Sequence, residues 1–208
     1  MTELFPRVFE TERLRFERID PGTVDALDVY PYVSSEDGIE DATRYMTWEP
    51  HGHPKETFEF LRAVAAANDA ATDGTYALYP KAGEPRAGAY AGHAGLHPDW
   101  ENGTVTFGVW LRKPFWGRGY SGERADAFVE LAFDRLDVEL AAITVDDDND
   151  RSKRAIEKYV NRWGGQHDGY FRNITVAGGT PRDSHRYTIA RADYDAADVD
   201  VALTVVEE

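Results

Sequence analysis

Leu14 and Phe16 alternate with charged residues through ETERLRFERI (10–19), and that period of two predicts a first strand. Helical spacing follows over roughly 21–33, and again over 55–71, where Phe58, Leu61, Ala65 and Asn68 share one face. The segment 34–54 between these helices has no period and reads as an irregular loop. GTYALYPKA (74–82) and GAYAGHAGLHP (88–98) are the next two strands. PDWENG (98–103) is turn chemistry between β-rich runs, so an antiparallel hairpin should lead into TVTFGVWLR (104–112). Beyond a glycine-rich turn, ERADAFVELAFDRL (123–136) returns to helical spacing through Ala125, Phe128, Ala132 and Leu136. Strand LAAITV (140–145) precedes a helix over 150–163 with Ala155, Ile156, Tyr159 and Trp163 on its inner face. Strands 167–176 and 184–194 close the pattern, and 195–208 reads either as an acidic tail or as an added edge strand.

Composition narrows the class. With 208 residues and 42% hydrophobic content, the chain can bury one ordinary core, here assigned to a single domain over 1–194. No run approaches the roughly 18 apolar residues of a membrane span. The first residues mix acids and arginines where a signal peptide needs an apolar segment, so a cytoplasmic protein is expected. Cysteine is absent, which excludes disulfides, thiolate zinc sites and a cysteine nucleophile. A net charge of −15 argues against nucleic acid and anionic membranes as partners, because Lys and Arg supply most of the affinity for phosphate surfaces. With five Lys, 18 Arg and acids spread along the chain, the surface is of the halophilic type. In that setting DDDND (146–150) reads as solvated rather than as a metal site.

WGRGYSG (116–122) contains Gly117-x-Gly119-x-x-Gly122, the spacing of dinucleotide-binding loops. In that fold the strand runs almost directly into the first glycine, whereas Arg112 to Trp116 intervene here, and too little sequence follows for a second βαβ half. An NAD-dependent oxidoreductase is therefore the weaker reading. A glycine turn opening a helix still presents unpaired amides that hold a phosphate or pyrophosphate, with Arg118 and Arg112 as charged helpers. The plain alternative is a tight turn before a surface helix.

GVWLRKPFWGRGYSGE (108–123) resembles motif A of the GNAT superfamily of acyl-CoA N-acyltransferases. It resembles more closely still the branch that acetylates ribosomal-protein N-termini. That branch shows an ETERLRLR-like strand (here Glu10 to Phe16), a tryptophan before a Gly-x-Gly-Tyr loop (Trp116 to Tyr120), an Asn-x-x-Ser before Glu-Lys (Asn149, Ser152, Glu157-Lys158) and a final strand with a tyrosine (Tyr187). The resemblance implies an α/β (α+β) fold: a mixed, mostly antiparallel sheet of six or seven strands, helices on both faces, and the fourth and fifth strands (104–112 and 140–145) splayed. It implies acetyl-CoA as co-substrate, with Val109, Trp110, Leu111, Arg112, Gly117, Arg118, Gly119, Tyr120, Ser121, Gly122, Asn149 and Ser152 around it. One main-chain amide near Val109 to Leu111 would face the thioester carbonyl, where negative charge grows during transfer.

Proton traffic is the part that departs from the family. Many members place a tyrosine acid seven residues after the motif asparagine, where this chain has Ile156, with Tyr159 three further on. Ser152 is the substitute acid, or else the cap of its helix. Where the family often has a glutamate this chain has Thr106, leaving Asp168, Glu49 and His51 as candidate bases. His51-x-His53 and His93-x-x-x-His97 could be taken for metal pairs, but in a strand the second pair spans about 13 Å, and no metal is expected. The expected activity is direct acetyl transfer to a primary amine, a protein N-terminus or a small amine, with Trp48, Glu49, Glu36, Asp37 and Glu40 suiting a cationic acceptor. The rival is a catalytically weak sensor that binds CoA or acetyl-CoA. The oligomeric state stays open, a homodimer included.

Overall fold

The computed structural model describes residues 3–206. A nine-stranded sheet in the order β7-β8-β6-β5-β4-β3-β2-β1-β9 forms the centre of the molecule. Its strands are β1 (Val8–Glu10), β2 (Leu14–Arg18), β3 (Gly74–Pro80), β4 (Gly92–Asp99), β5 (Thr104–Leu111), β6 (Leu140–Asp146), β7 (Gln166–Ala177), β8 (Thr180–Ala190) and β9 (Thr204–Val205). Among them only β5 and β6 pair in parallel. The sheet is thus mixed and mostly antiparallel, as expected, with two more strands than expected.

Both extra strands lie at one edge. The run 10–19 is half of a hairpin: β1 pairs with β2, and the intervening turn is closed by the Thr11 amide on the Leu14 carbonyl. No glycine or proline marks that turn in the sequence. β9 then adds to β1, with Phe9 opposite Val205, so the C-terminal segment is an edge strand as far as residue 206; residues 207–208 lie outside the described part. Val199, Val201 and Leu203 pack on the main core as the chain returns to that edge.

Six helices cover the sheet. On one face lie α1 (Ala26–Ser34), α2 (Ile39–Thr43) and α3 (Pro54–Asp69); on the other lie α4 (Tyr120–Glu130) and α5 (Asp150–Arg162), with α6 (Arg191–Ala196) after β8. α1 starts later than its apolar spacing suggested because Asp25 caps it, accepting the Leu27 amide at 2.7 Å. The irregular segment 34–54 contains the short α2. The last strand stops at Ala190, where the Asp193 carboxylate takes the Ala190 amide and starts α6.

Alternation along the strands divides the core. Phe9, Phe16, Tyr76, Phe107 and Phe128 form an aromatic centre under α4, with Phe9 and Phe16 stacked at 4.4 Å. Burying these rings stabilises the fold by about 25 cal/mol per Å² of apolar surface removed from water. A second cluster, including Val29, Leu61, Tyr90 and Trp110, packs beneath α1 and α3.

Candidate active site

β5 and β6 are joined by three residue pairs: Thr104 with Leu140, Val105 with Ala141, and Thr106 with Ala142. Beyond Thr106 they part, although β5 continues to Leu111 and β6 to Asp146. On its other side β5 stays paired with β4 along its length. The Arg112 amide bonds the Ala91 carbonyl. By antiparallel alternation, Trp110 and Gly108 also spend their peptide groups on β4, whereas those of Val109 and Leu111 point into the split. A groove of about 1590 Å³ occupies this opening and runs from Val109 past the glycine turn to Ser152 and Tyr159.

The glycine turn is held at several points. The Trp116 indole donates to the Leu111 carbonyl at 2.7 Å, folding the loop back onto the end of β5. Gly117 (φ +74°) and Gly119 (φ +82°) are left-handed, a conformation that strains any residue with a Cβ. Gly119 is the N-cap of α4 and offers no side chain. The amides of Gly117, Arg118 and Gly119 have no protein partner among the described residues. The first amides of α4, at Tyr120 and Ser121, lack partners by helix geometry. Together they form a concave row of donors at the positive end of the helix dipole, suited to a phosphate or pyrophosphate.

Arg13 braces this row from β2's side. Its guanidinium donates to the Arg118 carbonyl at 2.8 Å and to the Glu123 carboxylate at 2.7 Å, and the Glu123 carboxylate also receives the Arg13 amide and the Thr11 hydroxyl. The Arg151 guanidinium lies 4.3 Å over the Trp116 ring. In all, eight Lys or Arg and seven acids line the groove, so it is near neutral in a chain of net charge −15. Three of those acids, Asp41, Glu123 and Asp126, are paired with lining bases (Lys113, Arg13 and Arg162). The local field accepts an anion that the overall charge would repel.

Most of the residues singled out in the sequence meet here. Val109, Leu111, Gly117, Arg118, Gly119, Ser121, Gly122, Asn149, Ser152 and Tyr159 all line the groove. Arg118 also donates to the Pro114 carbonyl at 3.2 Å. Tyr120 contributes through its backbone, since its hydroxyl donates to Glu84 at 2.7 Å and burial, then Glu84, push its pKa up to about 12. Asn149 is the cap of α5, its Oδ1 accepting the Ser152 amide at 3.2 Å. That role leaves the Ser152 hydroxyl without a protein partner among the described residues and on the groove wall. Two turns on, the Tyr159 hydroxyl is buried beside Arg124, and burial pushes its pKa up to about 12, so it stays protonated.

Several expectations are corrected. Arg112 does not face the groove: its guanidinium donates to Glu36 and to the Tyr90 carbonyl and lies 3.5 Å over the Tyr32 ring. Trp110 borders the groove, but its indole is buried against His93 and Trp48. Asp168 lies on β7, where it accepts from Thr188 at 2.8 Å and Gln166 at 3.1 Å, away from the groove. Glu49 leans toward the β7–β8 turn, its Oε1 3.9 Å from where a Cβ on Gly178 would stand. His51 is a packing residue, bonded to Thr57 at 2.8 Å and set against Trp48, with burial lowering its pKa. Arg13, Glu123 and Arg151 were not singled out in advance; Glu123 stands inside the motif, but its partner in the β1–β2 turn lies 110 residues away.

A split between parallel strands, closed at one end by a glycine turn that opens a helix, defines a protein suited to a ligand that carries a phosphate or pyrophosphate. Residues 13–159 match the model of the acetyltransferase (GNAT) domain, and the chain belongs to that family. No curated protein matched the chain by sequence. Among solved structures, a GCN5-related N-acetyltransferase from Brucella melitensis superposes with a TM-score of 0.73 at 22% identity, covering 92% of this chain and 81% of its own. The RimL ribosomal L7/L12 alpha-N-protein acetyltransferase gives 0.72 at 16% identity, over 89% of this chain and 94% of its own. The microcin C7 self-immunity acetyltransferase MccE, solved with acetyl-CoA and AMP, gives 0.71 at 16% identity, over 86% and 93%. The protein is thus an acetyltransferase of the GNAT type. No helix among the described residues is long and apolar enough to cross a membrane.

Proposed function

We propose that the protein transfers the acetyl group of acetyl-CoA directly to a primary amine, either a protein N-terminus or a small amine, within a ternary complex. The observation that carries this reading is the row of unpartnered amides from Gly117 to Ser121 at the mouth of the β5–β6 split. Such a row fits the pyrophosphate of CoA, and the free peptide groups of Val109 fit an arm that carries amides of its own. The acetyl-CoA seen in MccE and the protein α-amine named for RimL support the same cofactor and acceptor class.

Acetyl-CoA, when bound, supplies an acetyl group activated as a thioester. The chain's own groups supply the rest. The Val109 amide points into the split, where it can donate to an oxygen gaining negative charge; one such donor is worth about 3 kcal/mol. The Ser152 hydroxyl, freed by Asn149, is placed to give a proton to a departing thiolate and regain it from solvent.

Thermal shift with acetyl-CoA, CoA and NADH, and thiol release from acetyl-CoA against N-terminal peptides and polyamines, tests the reading. Stabilisation by both CoA forms with turnover of an amine is expected; stabilisation by NADH alone would overturn it. Acetyl-CoA binding with no amine acetylated would favour the sensor. Gly119→Glu puts a carboxylate and a strained φ into the amide row, with a Cβ already 3.3 Å from the Arg13 Nη2. It should abolish acetyl-CoA binding while the protein still melts cooperatively, as followed by calorimetry.

A further inference from the structure

We propose that His97, held by Asp73, is the base that takes the acceptor's proton, an inference that rests on acetyl transfer to an amine. The imidazole Nδ1 lies 2.6 Å from the Asp73 Oδ1 at the end of the α3–β3 loop. That loop is tied to the β4–β5 turn by the Trp100 indole, which donates to the Ala71 carbonyl at 3.3 Å. With the carboxylate as acceptor for an Nδ1–H, the tautomer is the one with its lone pair on Nε2, the ring atom that lies over Gly95 and Gly108. Nε2 has no hydrogen-bond partner among the described residues, and the side chain is 47% exposed.

The ring's bed is built for it. Gly95 and Gly108 are cross-strand partners on β4 and β5, and His97 pairs with Thr106 beside them. A Cβ at Gly95 would stand 2.5 Å from Nε2, and one at Gly108 3.2 Å from it. A side chain at Gly95 would displace the imidazole from this position, and one at Gly108 would crowd it. Gly108 is two residues beyond the last β5–β6 pair and next to Val109, whose peptide groups face the split. Val109 packs toward the α4 side, so the His97 ring lies on the opposite face of β5, over Gly108 and beside the residues that line the groove rather than among them.

The candidate bases named from the sequence are engaged elsewhere. Asp168 and His51 have their own partners, and Glu49 leans toward another turn. Asp146, at the far rim, is buried, with its Oδ1 holding the Asp148 amide. Sequence reading weighed His97 only as half of a metal pair, because its partner here, Asp73, stands 24 residues earlier in a loop.

The step balances as follows. The ammonium gives one proton to Nε2, which passes it to solvent. The freed lone pair forms the C–N bond as the C–S bond breaks with its electron pair on sulfur. The second N–H proton is then released, and the sulfur takes one proton, giving amide, CoA thiol and one net proton.

The probe for placement is the S-carboxymethyl-CoA methylamide adduct, which sets an amide nitrogen where any acceptor nitrogen must stand. In protein labelled with ¹⁵N-histidine, the His97 Nε2 signal should move when the adduct binds. In kinetics with spermidine and seryl-peptide amide, His97→Ala should lower turnover roughly 10²- to 10⁴-fold. Its acetyl-CoA affinity and melting temperature should be unchanged, and added imidazole should restore part of the rate. Hydroxylamine is neutral at neutral pH and needs no base, so its acetylation should survive in the variant. Asp73→Asn should lie between variant and parent. A bound adduct with the His97 signal unmoved, or equal loss on hydroxylamine and spermidine, would overturn the proposal alone. An adduct that fails to bind the parent protein would overturn the acetyl-CoA reading and this proposal with it.

Discussion

Ser152 keeps its hydroxyl free because Asn149, three residues earlier, has taken over the capping of α5. If the hydroxyl protonates the leaving sulfur, Ser152→Ala should reduce kcat by about 10²-fold and leave acetyl-CoA affinity within a factor of two or so. Isothermal titration beside steady-state kinetics separates the two; a loss confined to affinity would recast Ser152 as a cofactor contact. Such single positions were legible when their geometry is local. The glycine turn and the Asn-x-x-Ser spacing are set by a few neighbouring residues, and they stand where the motif put them. Arg112 was not legible, because its direction depends on Glu36, 76 residues away, and on the Tyr32 ring. Asp168 failed for the same reason: Thr188 on the neighbouring strand decides where its carboxylate points.

At the scale of elements, the start of α4 is fixed from outside by the β1–β2 turn. Glu123 accepts from Thr11, from the Arg13 amide and from the Arg13 guanidinium, so one carboxylate joins the helix, the turn and the anion row. Glu123→Ala leaves those donors without their acceptor, which should cost about 1–3 kcal/mol. Urea denaturation should show that loss, and acetyl-CoA affinity should fall with it, since the Arg118 carbonyl loses its brace. This turn was the least readable part of the chain. A run alternating Leu14 and Phe16 with charges looks like uninterrupted strand, and the bend at Thr11 is fixed by a helix 112 residues away. The long helices and the central strands were readable to within a few residues, because their periods come from one buried face each, whereas the short α2 and α6 were not.

For the whole molecule, the surface carries −15 while the groove is close to balance. Self-repulsion among the acids opposes compaction, and at 1 M salt it is screened beyond about 3 Å. The melting temperature should therefore rise from dilute buffer to molar potassium chloride, as calorimetry would show; a flat or falling trend would count against the acidic surface as a stability determinant. The β5–β6 opening has a mechanical consequence of its own. Six strands on one side and three on the other share a single line of contact, three pairs long, before the rims diverge. The sheet is in effect two plates on a short weld, and any occupant that hydrogen-bonds both rims acts as the rivet that stiffens the pair.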